Sequence, residues 1–137
     1  MFHGNLAQMD AAGVTAEMTQ LEDVLLNMIG QFPTYMRPPY FAWNDQTLQT
    51  LGGLGYKVIH ADIDTLDWQN NTPDTTGNSA NIFAQGLDSG GSISLAHDVH
   101  PTTANNLVPA MIDAIQARGL NGTSLPLLPA PLLFTSY

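Results

Sequence analysis

Three short polar clusters hold the side chains of this chain that could do chemistry: Arg37-Pro38-Pro39-Tyr40, Asp64-Thr65-Leu66-Asp67-Trp68 and Leu95-Ala96-His97-Asp98. Imidazole is the side chain best poised to give or take a proton near neutral pH. A carboxylate beside it fixes its tautomer and orientation, as the Asp of a Ser-His-Asp triad does. A guanidinium stays charged and binds a carboxylate in a planar fork. Arg, Asp and His are therefore residue types from which a proton-transfer site could be built. Each cluster also has a plainer reading: His97 and Asp98 as caps in a strand-to-helix turn, Pro38-Pro39-Tyr40 as a rigid turn, Trp68 as core.

The elements around the clusters must position them. Met18, Leu21, Val24, Leu25, Met28 and Ile29 recur at three- and four-residue intervals, which predicts an amphipathic helix over residues 14–29. Thr15 or Asp10 would cap its start and Gly30 would stop it. Residues 34–37 read as a short strand ending at the double proline. Residues 44–54 read as a helix capped by Asn44, with Leu48 and Leu51 inward and Gly52-Gly53 at its end. Residues 56–63, rich in β-branched and aromatic side chains, form the strongest strand signal. Residues 69–78 are polar and carry Pro73, so they read as a loop, followed by a helix over 79–85 and a glycine turn over 86–91. A buried strand over 92–96 and a last helix over 104–117, closed by Arg118-Gly119, complete the pattern.

Alternating helices and strands imply an α/β fold built on a parallel sheet or a barrel fragment. Each cluster then stands at the carboxyl end of a strand, the rim where the chemistry of such folds collects. A sheet of three or four strands would leave its edges unpaired.

Composition narrows the function classes. The chain has 137 residues, a length that suits one domain with its own core. Three basic residues stand against twelve acidic ones, a formal net charge of −9, so little is available to neutralise phosphates. That balance argues against a nucleic-acid partner and disfavours anionic membrane surfaces, so no nucleic acid is expected. With so few cations, Arg37 is expected to have a specific task. The chain has no cysteine, hence no disulfide and no thiolate metal site. No run approaches the roughly twenty apolar residues of a membrane helix, so no membrane insertion is expected. Met1-Phe2-His3-Gly4 does not read as a signal peptide. Asn70-Asn71-Thr72 and Asn121-Gly122-Thr123 fit the N-glycosylation pattern. Residues 121–137 change character: with Pro126, Pro129 and Pro131 among leucines, this tail is neither helix nor central strand.

In their order and local sequence, the three clusters resemble the later motifs of the polysaccharide deacetylases, the NodB-homology carbohydrate esterases, and the fungal chitin deacetylases among them. The resemblance runs from about Gly4 to Gly119. It implies a partial (β/α) barrel lacking its first strands and its last, with residues 1–120 as the deacetylase domain and 121–137 as a divergent tail. It implies metal-dependent hydrolysis of the N-acetyl groups of N-acetylglucosamine polymers, chitin first among them. The alternative is an inactive fragment or a non-catalytic carbohydrate-binding relative.

By the same resemblance, His97 is the acid that protonates the leaving amine and Asp67 the carboxylate that orients it. Arg37 matches the Arg that pairs with the catalytic-base carboxylate. Tyr40 matches the residue whose backbone N–H helps polarise the substrate carbonyl. Trp68 and Leu95 match apolar residues lining the sugar and acetyl pocket. Phe41 stands where the family usually has a small residue, which would narrow the cleft.

The family binds a divalent metal, commonly zinc, through one Asp and a His-x-x-x-His pair. His3 matches the second His. The first His and both early carboxylates would fall before Met1, which leaves one metal ligand and no general base in this chain. The expected partner is a carbohydrate polymer, chitin or a chitooligosaccharide. Fungal relatives of this family are secreted or cell-wall-associated.

Overall fold

The computed structural model describes residues 4–123. They fall into two compact units, one reaching His60 and the other running from Ala61 to Thr123.

The first unit opens with a single 3₁₀ turn at Leu6–Gln8, capped by the Asn5 side chain. Helix α1 (Ala11–Ile29) follows. Of the two candidate caps, Asp10 is the one used: its carboxylate accepts from the Gly13 amide at 2.8 Å. Thr15 instead bonds within the helix, to the Ala11 carbonyl. Gly30 ends α1 at φ 69°, the left-handed conformation that glycine adopts without strain. Strand β1 (Tyr35–Met36) leads into a 3₁₀ turn at Pro39–Phe41. Helix α2 (Asp45–Gly53) begins at Asn44, which forms a reciprocal capping box with Thr47. Strand β2 (Lys57–Val58) then pairs parallel with β1, Tyr35 opposite Lys57.

Leu6, Val14, Met18, Leu51 and Tyr56 form the buried core of this unit. The Tyr56 hydroxyl donates to Glu22 Oε1 at 2.7 Å; burial first, and then the Glu22 carboxylate, push its pKa up.

In the second unit, strand β3 (Ile63–Asp64) pairs parallel with β4 (Ser94–Leu95), in register Ile63 to Ser94 and Asp64 to Leu95. Helix α3 (Thr76–Asp88) connects the two strands. After β4 comes a π-helical stretch at Thr103–Leu107, then helix α4 (Val108–Ala117). The amide of Val108 reaches back to the Thr103 carbonyl. Pro109, with no N–H and a ring that crowds the carbonyl four residues earlier, accounts for the widened turn at this point. Arg118 ties the ends of α3 and α4: Nε and Nη2 bind the Asp88 carboxylate at 2.7 and 2.9 Å, and Nη1 bonds the Ala114 carbonyl.

Four expectations need correction. Residues 56–63 are not one strand, because the chain changes sheet and β2 and β3 belong to different two-stranded sheets among the described residues. Between them, the Asp62 carboxylate accepts from the amides of Ser92 and Ile93 while the Asp62 amide donates to the Ile93 carbonyl at 2.9 Å, which fixes that segment by side chain and backbone together. The supposed single sheet of three or four strands is thus two parallel pairs.

Helix α3 extends beyond residues 79–85 at both ends and includes Gly86, which the glycine turn had claimed. A Cβ at Gly86 would stand only 2.7 Å from Ile63 Cγ1, so this glycine permits close packing of helix on strand rather than breaking the helix. Finally, β4 is half-buried rather than buried, since among the described residues it pairs only with β3. Nearly all of the Pro-rich tail lies outside the described residues.

Candidate active site

Parallel pairing sends β3 and β4 in one direction, so the residues just past both carboxyl ends share one edge of the second unit. Asp67 lies three residues beyond β3 and His97 two beyond β4. Their side chains meet there: His97 Nδ1 lies 2.7 Å from Asp67 Oδ1. The His97 backbone amide also donates to Asp67 Oδ2, at 2.5 Å. A third donor, the Thr103 hydroxyl, reaches the same Oδ2 at 2.8 Å. Asp67 is 1% exposed, whereas the His97 ring retains 38% of its accessibility.

Burial alone pushes the Asp67 carboxyl up. The hydrogen bonds from the imidazole, the His97 amide and Thr103 outweigh it and hold the group below the usual carboxylate range. The carboxylate is therefore ionised at neutral pH and can only accept, so Nδ1 carries the proton that faces it. Nε2 is left as the ring nitrogen able to exchange a proton with a substrate.

The turn presenting Asp67 is held unusually. Leu66 has φ 52°, a left-handed conformation that costs a non-glycine residue about 1–2 kcal/mol. Asp64, the other carboxylate of this cluster, accepts from the Leu66 amide at 3.0 Å and so helps to hold the turn. Thr65 is fully buried and donates to the Leu95 carbonyl at 2.8 Å, locking the turn to β4. Trp68 is 51% exposed beside the site rather than core, and Leu95 is half-buried.

The first unit carries its own cluster at the carboxyl ends of β1 and β2. Arg37 directly follows β1, and its guanidinium carbon stands 5.9 Å above the Phe41 ring. Phe41 stacks on His60 at 4.1 Å between centroids. These two rings, with Pro38, Trp43, Leu48, Val58 and Ile59, line an apolar cavity of about 230 Å³. Phe41 is thus built into the floor of the cluster, not merely added beside Tyr40. Tyr40 and Phe41 both have positive φ, 59° and 53°. Among the described residues, the positive-φ residues other than glycine are these two and Leu66; Tyr40 and Leu66 lie within the first two clusters and Phe41 directly follows the first.

The structure thus brings Asp67 and His97 into direct contact, with Leu95 and Trp68 beside them, while Arg37 and Tyr40 sit together in the other unit. Sequence reading missed Thr103, Asp64's role and the Phe41–His60 stack. A threonine in the first turn of a helix reads as a cap, and nothing in the pattern says that it donates to a carboxylate 36 residues earlier. The predicted metal ligand, His3, lies outside the described residues. Among those residues no group of three His, Cys, Asp or Glu side chains is placed to hold a metal ion. The described donors do not fit the metal that the resemblance implies.

The family model for polysaccharide deacetylases matches residues 1–59. A chitin deacetylase of Pestalotiopsis sp. is 55% identical over 118 residues, which cover 86% of this chain and 39% of that protein. The structure of the chitin deacetylase from Colletotrichum lindemuthianum superposes with a TM-score of 0.81 at 37% identity, over 86% of this chain and 54% of that one. A family 4 carbohydrate esterase from Streptomyces lividans, at 22% identity and TM-score 0.73, shares the fold. The chain spans 39% of the length of the first relative and 54% of the solved chitin deacetylase. It has a partial α/β fold of the NodB type and belongs to the polysaccharide deacetylase family.

Proposed function

We propose that this chain carries the proton-donating half of a polysaccharide deacetylase site, acting on the N-acetyl groups of N-acetylglucosamine polymers, chitin first among them. The observation that supports this most is the buried, ionised Asp67 carboxylate fixing the exposed His97 imidazole by its Nδ1. An imidazole so held presents Nε2 outward; in the imidazolium, whose Nδ1–H stays on Asp67, the Nε2–H proton can pass to the departing amine as the amide bond breaks. Without that proton the leaving group would be an amide anion, which is too basic to depart. Asp67 keeps the ring in this tautomer and offsets the charge that develops on it when protonated.

Trp68, half exposed beside Asp67, offers a flat apolar face to a sugar ring, and Leu95 an apolar wall to the acetyl methyl. For Arg37 the proposed task is charge pairing with a carboxylate. For Tyr40 it is donation of its backbone N–H toward the developing oxyanion. A divalent metal, zinc first, with His3 among its ligands, remains part of the proposal on the strength of the family resemblance alone, as does secretion or wall association.

Acetate release from acetylated chitooligosaccharides, measured with zinc added, tests the proposal. A second reading, a carbohydrate-binding relative without hydrolysis, is favoured by the lack of a three-donor cluster among the described residues. It predicts oligosaccharide binding by calorimetry that is indifferent to chelators and accompanied by no acetate.

A further inference from the structure

We infer that Asn70 is a positioning residue for Asp67, acting through the Leu66 carbonyl. Its role in catalysis rests on the deacetylase reading, but its structural consequence does not. The Leu66 oxygen accepts from the Gln69 amide at 3.0 Å, from the Asn70 amide at 3.1 Å and from Asn70 Nδ2 at 3.1 Å. The Asn70 amide also reaches the Asp67 carbonyl at 3.1 Å. One residue therefore grips both peptide units that flank the Asp67 side chain.

The side-chain amide is in turn fixed from α3, where Asn78 Nδ2 donates to Asn70 Oδ1 at 3.4 Å. Such a grip matters here because Leu66 sits in left-handed space at φ 52° and would relax toward ordinary backbone angles if released. Relaxation would rotate the next residue, Asp67, whose carboxylate must meet two groups of His97 at once.

Asparagine suits this place for two reasons. It is half-buried, so an ionic group would be costly, and it offers a donor and an acceptor pointing to opposite neighbours. The donor is Nδ2, the atom that an N-glycan at the Asn70-Asn71-Thr72 sequence would occupy. Glycosylation there would replace one of the two Nδ2 hydrogens and leave a single N–H for the Leu66 carbonyl.

The test is amide hydrogen exchange by NMR on Asn70→Ala, with Asn71→Ala as the neighbouring control. Asn71 Nδ2 caps only the Trp68 carbonyl, away from the Leu66 oxygen. Two amides report: His97 N–H, which is held by the Asp67 carboxylate, and Thr65 N–H, which is held by the β4 backbone at Leu95. Asn70→Ala should speed exchange at His97 about tenfold while leaving Thr65 near its parent rate. Asn71→Ala should change neither. If Asn70→Ala does not fold, Asn78→Ala loosens the same link from outside and should show the same selectivity in smaller measure. Equal acceleration at both amides, or none at His97, overturns the assignment. Neither outcome depends on whether the chain releases acetate.

Discussion

Asp67 grips His97 twice, by the imidazole Nδ1 at 2.7 Å and by the backbone amide at 2.5 Å, across 30 residues of sequence. Ring and backbone are thus fixed by one carboxylate. This double contact sets the tautomer of the histidine and ties the turn after β3 to the turn after β4. Site geometry and stability of the second unit should therefore fail together.

The Asp67→Asn substitution keeps the shape but replaces an acceptor oxygen by an amide that must face a donor. A buried donor left unsatisfied costs about 1–3 kcal/mol, and here three donors converge. Urea unfolding should show a loss of about 2–3 kcal/mol.

The pH dependence of stability follows from the same group. The folded carboxyl titrates below its unfolded value of about 3.9. Its contribution is therefore fully present above that pH and is lost as pH falls through the lowered folded value. Melting temperatures of the parent and Asp67→Asn should differ most at neutral pH and converge below about pH 4. A gap that widens on acidification would reverse the sign and reject the argument.

Thr103 separates hydrogen bonding from packing. It is 1% exposed, so Thr103→Val preserves the volume while removing the hydroxyl that reaches Asp67 Oδ2. A loss of about 1–2 kcal/mol is expected, with Thr103→Ser recovering most of it despite its missing methyl. If Val and Thr prove equally stable, the hydrogen bond contributes nothing.

Gly86 should resist enlargement for steric reasons alone. A Cβ there would meet three atoms of Ile63 at 2.7–2.9 Å. Gly86→Ala should cost about 1–3 kcal/mol by overpacking, despite alanine's better helix propensity. Combining it with Ile63→Ala should cost less than the sum of the two single changes, measured as a double-mutant cycle.

Much of the fold could be read from local rules. Asp10, Gly30 and Asn44 do what capping chemistry assigns them, because a cap is decided within four residues. What could not be read was set by distant partners. Gly86 looks like a turn residue until Ile63, 23 positions earlier, is known to press against it. The 56–63 stretch reads as one strand because composition records β-propensity and not which sheet each half joins. In the site, the expected Asp67–His97 pairing is present in the structure, while Thr103 left no trace in the pattern. The scarcity of cations was informative as well. Lys57 lies over Tyr35 at 5.5 Å, Arg37 over Phe41, and Arg118 clasps Asp88, so each is placed against a defined neighbour.

The role of His97 as proton donor is tested most directly by acetate release from acetylated chitooligosaccharide, with zinc present, for the parent, His97→Ala and Asp67→Asn. The account predicts slow release by the parent, as expected of the proton-donating half of a site, a fall of about 10²-fold or more in His97→Ala, and a smaller but clear fall in Asp67→Asn. Release unchanged by His97→Ala, or no release by the parent, would contradict it.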